Sequence, residues 1–268
     1  VYTDITQSLS LGGLTYGVTN IELTSAYASI ANGGTYQKPV LYTKVVDHNG
    51  NILLSNTQKG KRVMKESTAF LLTDAMKDVI TKGTGKSAKL SSSMAVAGKS
   101  GTTSNSYDYW FSGYTPYHTA SVWMGYDKNT NFASDNTHKK IWAKVMNEII
   151  KTKQEQTTDF KKPADIVKAK VCKESGKLAI KEVCDHDPRG SRVITEYFEK
   201  GTVPTQTCDI HVAVEVCKTS DKLATKNCPA NKKQRKIYIV RKKGSHGKTA
   251  DSPYMLPKKY QSVFCKKH

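Results

Sequence analysis

The chain has 268 residues, with 42 Lys+Arg against 23 Asp+Glu for a formal net charge of +19, and six cysteines. That length holds one large domain or two smaller ones. No apolar run approaches the span of a membrane helix, about 18 residues, and Val1-Tyr2-Thr3-Asp4 does not begin a signal peptide, so any anchor is expected on sequence outside this chain. Charge and cysteine are both uneven along it: residues 1 to 150 carry 15 Lys+Arg and 10 Asp+Glu, the remainder 27 and 13, and every cysteine falls after residue 171. The polar stretch TKQEQTTDFKKP, ending in Pro163, marks the boundary region. We divide the chain at 1-155 and 156-268.

In chain order, Asn20 and Thr24 bracket a predicted helix from Ile21 to Ala31, with Leu23, Ala26, Tyr27 and Ile30 on one face and Asn32-Gly33-Gly34 as its stop. Tyr42 to Asp47 and Ile52 to Leu54 read as a hairpin about His48-Asn49-Gly50-Asn51. Ser67 is the expected cap of a helix over Thr68 to Thr81, with Phe70, Leu71, Ala75, Val79 and Ile80 toward the core, ended by Gly83. Ala95 to Gly98 enters a buried strand. Tyr107 to Thr115 and Thr119 to Tyr126 are β-rich runs split by Pro116-Tyr117, and three such strands with short links form an antiparallel meander. Ile141 to Lys151 has apolar positions at Ile141, Trp142, Val145, Ile149 and Ile150, a helical stripe expected to cover the sheet face opposite the site, with Trp142 as its core anchor.

The chemistry concentrates at Ala97-Gly98-Lys99-Ser100-Gly101-Thr102-Thr103. A lysine, several hydroxyls and a glycine that lets a ligand backbone approach share one strand edge, a setting for a carboxylate or a developing oxyanion. Asp108 and Trp110 lie near the strand's exit, where structural support is the expected role.

The segment AGKSGTTSNSYDYWFSGYTPYHTASVWMGYD resembles the third motif and following strands of the penicillin-binding protein transpeptidase domain, with Ser100 where Thr is commoner. The resemblance extends upstream through Leu11-Gly12-Gly13, Gly17-Val18-Thr19, Ala26-Tyr27-Ala28, Ala31-Asn32-Gly33-Gly34 with Pro39, and Gly83-Thr84-Gly85. It is nearest to the class A, bifunctional branch. It implies an α+β fold: the C-terminal portion of a penicillin-binding-protein/serine β-lactamase-like fold, an antiparallel sheet flanked by helices, followed here by a small β-rich disulfide-containing domain.

Such enzymes order a Ser-x-x-Lys nucleophile, a Ser-x-Asn motif and Lys-Ser/Thr-Gly along the sequence. Here the Ser-x-x-Lys is Ser245-His246-Gly247-Lys248 and the Ser-x-Asn is Ser134-Asp135-Asn136, both downstream of Lys99 and so in the wrong order. Both read as chance matches in polar loops. The resemblance therefore implies a D,D-transpeptidase cross-linking stem peptides by serine acyl transfer, with this chain supplying Lys99, Ser100, Gly101 and Thr102 while the nucleophile lies elsewhere. Ser100, Thr102 and Thr103 are the expected substrate contacts, and the Thr102 amide the expected oxyanion donor. The expected partners are the N-terminal part of the domain, peptidoglycan stem peptides and β-lactams, at the extracytoplasmic face of a bacterial membrane. No cofactor is expected. Two other readings are a β-lactamase or β-lactam sensor of the same fold, and a non-enzymatic module binding envelope polyanions.

Beyond residue 164 the chain repeats: Val171-Cys172-Lys173-Glu174-Ser175-Gly176-Lys177-Leu178-Ala179 matches Val216-Cys217-Lys218-Thr219-Ser220-Asp221-Lys222-Leu223-Ala224, and Cys184 and Cys228 follow in turn. Equivalent spacing suggests disulfides Cys172–Cys184 and Cys217–Cys228, leaving Cys208 for Cys265, in keeping with an oxidising compartment. Loops this short stabilise by about 3 kcal/mol each on the chain-entropy model. Cys208-Asp209-Ile210-His211 has a Cys-x-x-His spacing and Cys184 is near His186, but two tight ligand pairs are lacking and no metal is expected. The basic clusters Lys232-Lys233-Gln234-Arg235-Lys236 and Arg241-Lys242-Lys243 flank strand-like Ile237 to Val240, as a solvated face open to anionic wall polymers or lipid headgroups and not to nucleic acid.

Overall fold

Thr19 starts the first helix, α1 (Asn20–Ala31): its hydroxyl accepts from the Glu22 amide, and the Glu22 carboxylate accepts from the Thr19 amide in return. The helix ends as the chain turns through Gly33 and Gly34 at φ +58° and +87°. A Cβ on Gly34 would stand 2.4 Å from the Met64 carbonyl oxygen, so the turn accepts no side chain there. The computed structural model describes residues 2–241 and 249–267.

Four short strands follow: β1 (Thr35–Tyr36), β2 (Lys44–Val46), β3 (Ile52–Ser55) and β4 (Lys61–Arg62). β1 pairs with β4, and β2 with β3 about the expected turn, where the Asp47 carboxylate accepts from the Asn49 and Asn51 amides.

The second helix, α2 (Glu66–Thr81), begins one residue before its expected cap. Lys65 is its N-cap, and Ser67 lies inside the helix, buried, its hydroxyl without a partner among the described residues. The buried face is Ser67, Ala69, Thr73, Met76 and Ile80, whereas Phe70, Leu71 and Val79 are half-buried and Ala75 is exposed. Ser67, Ala69 and Thr73 are the small members of that face, and Met76 and Ile80 are its large core residues.

The sheet is the expected meander: β5 (Ala97–Thr102), β6 (Asp108–Tyr114) and β7 (Thr119–Gly125), antiparallel in that order. Lys99, Ser112 and Ser121 stand in register on one face, Ser100, Phe111 and Val122 on the other. On the first face Ala97 and Tyr114 pack with Met76, Tyr27 and Ile30. The second carries α3 (Thr137–Lys153), whose Trp142 is fully buried against Phe111 and donates its indole N–H to the Ala120 carbonyl at 2.9 Å. The buried side of α3 is Trp142, Ala143 and Met146, while Ile141 and Val145 of the expected stripe are exposed. No helix among the described residues is long and apolar enough to cross a membrane.

The chain divides into two units, Val1–Ala164 and Asp165–His268. Residues 156–164, assigned from sequence to the second, belong with the first. Phe160 packs edge-on to Tyr114, Asp159 pairs with Lys77, and the Thr158 carbonyl accepts from the Ala95 amide.

In the second unit β8 (Ile166–Cys172) pairs with β9 (Val193–Glu199), and β10 (His211–Cys217) lies between β11 (Lys222–Leu223) and β12 (Lys233–Ile239). A short helix, α4 (Lys259–Ser262), follows. The sequence repeat is a repeat of structure. Gly176 donates to the Cys172 carbonyl as Asp221 donates to that of Cys217, both donors at positive φ. Ala179 bonds back to Lys170 as Ala224 does to Glu215, and Cys208 bonds to Leu178 as Cys265 does to Leu223.

Candidate functional site

β5 is an edge strand: among the described residues it pairs with β6 alone. The Thr103 amide just beyond it donates inward to the Asp108 carbonyl at 3.2 Å. Period-two alternation along the strand therefore turns the amides of Ser100 and Thr102 toward the unpaired edge. Gly101 lies between them, and a Cβ there would meet nothing nearer than Trp110 Cβ at 3.5 Å. Gly98 differs, since its added Cβ would lie 2.8 Å from the Ser112 carbonyl oxygen. The protein's own packing thus demands glycine at 98 and leaves open space at 101.

Lys99 is exposed and its ammonium donates to the Ser100 carbonyl at 2.8 Å. The Ser100 hydroxyl lies 2.9 Å from that of Thr84. The sequence gives Thr84 only within the Gly83-Thr84-Gly85 stretch of the resemblance, with nothing to connect it to the strand; the contact spans 16 residues. Lys139, buried at the start of α3, is the other neighbour sequence reasoning missed: burial, and then the positive charge of Lys99, lowers its pKa. The Lys139 ammonium donates to Asn136 Oδ1 at 2.8 Å.

Thr103 has a hairpin duty, its hydroxyl oxygen accepting from the Tyr107 and Asp108 amides at 3.0 Å each. That leaves only its hydroxyl hydrogen for a ligand. Asp108 accepts from the Trp123 indole at 2.9 Å, so it braces β6 against β7. Ser134-Asp135-Asn136 builds the entry to α3: Ser134 Oγ lies 3.0 Å from His138 Nδ1, and the Asn136 carbonyl accepts the Lys139 and Lys140 amides. Ser245-His246-Gly247-Lys248, Lys242 and Lys243 lie outside the described residues.

The cysteines gather in two buried groups, Cys172, Cys184 and Cys208 with His211, and Cys217, Cys228 and Cys265. No disulfide joins any two of them. The expected Cys208–Cys265 bond does not fit, because each residue belongs to a different group. The elimination that paired them assumed two cysteines per copy of the repeat, and the fold gives each copy three.

Comparison with known proteins reaches both units. The family described as penicillin binding protein transpeptidase domain matches residues 3–151, and the family described as penicillin-binding protein 1A, C-terminal domain, matches residues 162–213. Among curated relatives, penicillin-binding protein 1A of Clostridium botulinum (strain Langeland) is 36% identical over 256 residues, covering 93% of this chain and 30% of the relative. Penicillin-binding protein 1A/1B of Bacillus subtilis (strain 168) is 32% identical over 220 residues, covering 75% and 24%. The chain thus spans under a third of the length of these relatives. The crystal structure of penicillin-binding protein 1A from Haemophilus influenzae shares its fold at a TM-score of 0.59 and 24% identity, over 76% of this chain and 35% of that one.

Proposed function

This chain belongs to the penicillin-binding protein transpeptidase family, and on that ground we propose that it supplies the Lys-Ser-Gly side of a D,D-transpeptidase site. The observation that carries the reading is the open edge of β5. There a cation at Lys99, a hydroxyl at Ser100 and an outward amide at Thr102 flank a glycine whose missing side chain the protein's own packing does not require.

A serine outside this chain attacks the penultimate D-alanine carbonyl of a stem peptide and forms a covalent acyl intermediate, expelling the terminal D-alanine. An amine from a neighbouring strand then takes the acyl group. Ser100 and Thr102 donate hydroxyl hydrogens to the substrate's terminal carboxylate, with the Thr103 hydrogen as a further contact. The Thr102 amide is one donor to the oxyanion; loss of such a donor typically slows acylation about 100 to 1,000-fold. Lys99 adds positive charge that favours the carboxylate and keeps the incoming Ser-x-Asn motif in register. This reaction takes place on the outer face of the bacterial membrane.

The preceding polypeptide has a surface to meet. Leu11, Tyr16 and Leu41 are 91%, 84% and 98% exposed, and Ile5, Ile21, Ile52 and Leu53 are more than half exposed. The preceding polypeptide would cover part of this apolar exposure.

Fluorescent penicillin tests the assignment, applied to this chain alone and to the complete enzyme, with intact mass as the readout. Label is expected only on the preceding polypeptide, and Lys99→Ala is expected to depress acylation by orders of magnitude while Ser100→Thr retains it. A covalent adduct on this chain by itself, or normal acylation of the Lys99→Ala enzyme, overturns the proposal.

A further inference from the structure

The second unit has few large buried side chains, and its two clusters centre on cysteine. In the first, the ligating atoms of Cys172, Cys184, Cys208 and His211 all lie within 4.8 Å of one another. His211 Nδ1 stands 3.4 Å from Cys172 Sγ and 3.3 Å from Cys208 Sγ. For a tetrahedral ion with bonds of about 2.3 Å to sulfur and about 2.05 Å to nitrogen, sulfur and nitrogen sit about 3.6 Å apart. The observed gaps are close to that value.

The imidazole is oriented for the task. Its Nε2 lies 2.6 Å from Asp187 Oδ2, and that carboxylate is itself buried and gripped by the Arg189 guanidinium and amide. A carboxylate only accepts, so Nε2 carries the proton and Nδ1 turns its lone pair on the sulfurs. A buried carboxylate behind a histidine is the usual outer support of a metal-bound imidazole. The Ile180 amide, in turn, donates to Cys184 Sγ at 3.3 Å.

Disulfide chemistry fits the arrangement poorly. Three sulfurs converge in each cluster, so a bond between any two strands a third thiol in the interior. The second copy repeats the first in detail, with the Thr225 amide donating to Cys228 Sγ at 3.3 Å as Ile180 does to Cys184.

We propose that Cys172, Cys184, Cys208 and His211 hold a structural Zn2+. Three thiolates and one imidazole are the ligands zinc takes in closed, four-coordinate sites, where the ion has no open position and serves the fold. The site releases three thiol protons on loading and keeps its imidazole neutral, a net charge of −1 for ion and ligands together. The ion supplies part of the core that a unit of this size lacks.

The test is zinc content of the whole chain, purified anaerobically without a polyhistidine tag and measured by native mass spectrometry and elemental analysis. Zinc is expected in the parent chain, with one ion per chain fewer in Cys208→Ser and in His211→Ala. Asp187→Asn keeps all four ligands and guards against a variant that fails to fold. It is expected to weaken the site about 10 to 100-fold in competition with a chromophoric chelator. Zinc content unchanged in both Cys208→Ser and His211→Ala overturns the assignment. No zinc, with a mass lowered by the hydrogens of disulfide formation, overturns the proposal.

Discussion

The hydroxyl of Thr84 touches the one residue of the Lys-Ser-Gly strand that departs from the commoner threonine. Ser100 lacks the methyl group that restricts a threonine rotamer, and the Thr84 contact at 2.9 Å supplies a restraint in its place. Thr84→Ala in the complete enzyme is therefore expected to slow penicillin acylation about five-fold, the worth of one neutral hydrogen bond of about 1 kcal/mol. Ser100→Thr in that background should recover part of the loss. An unchanged acylation rate in Thr84→Ala would show that Ser100 is held by other means. The strand that carries Lys99, Ser100 and Gly101 was legible from the small and apolar residues, Ala95 to Gly98, that lead into it. Thr84 and Lys139 were not, since nothing local in a Gly-Thr-Gly turn or at a helix start shows which strand it faces.

Tyr114 ties β6 to α2. It is fully buried, and its phenol lies 2.7 Å from the Thr73 hydroxyl, which also donates to the Ala69 carbonyl. Burial raises the Tyr114 pKa above that of a free phenol, a rise the Thr73 bond only partly offsets. The native chain thus keeps a proton that the unfolded chain releases near pH 10. Stability from this group is whole below about pH 10 and declines above it, by up to about 1.4 kcal/mol per pH unit. Urea unfolding from neutral to alkaline pH should show Tyr114→Phe losing that slope relative to the parent chain; parallel slopes in the two proteins would refute it. The meander and three long helices were readable from period and punctuation. The face of α2 was not, because hydropathy favours Phe70 and Leu71, whereas close approach to the sheet selects Ala69 and Thr73.

At the scale of the molecule the charge is lopsided, with 27 of the 42 Lys+Arg residues after residue 150. Binding to anionic phospholipid vesicles is expected at about 0.05 M salt and lost by about 1 M, where the Debye length shrinks to about 3 Å. Flotation with vesicles across a salt series measures this, and salt-independent binding would point to apolar contact instead. The duplication was visible in sequence as two similar nonapeptides. Its third cysteine was hidden, since the span from the second cysteine to the third differs between copies, from Cys184 to Cys208 and from Cys228 to Cys265. The open edge of β5 also bears on how the chain behaves in a tube. A row of unsatisfied amides and carbonyls that suits a peptide ligand suits the same edge of another copy equally well. Crowding favours that self-pairing, each molecule plugging the other's groove, so dilution and ligand act in the same direction, toward the monomer.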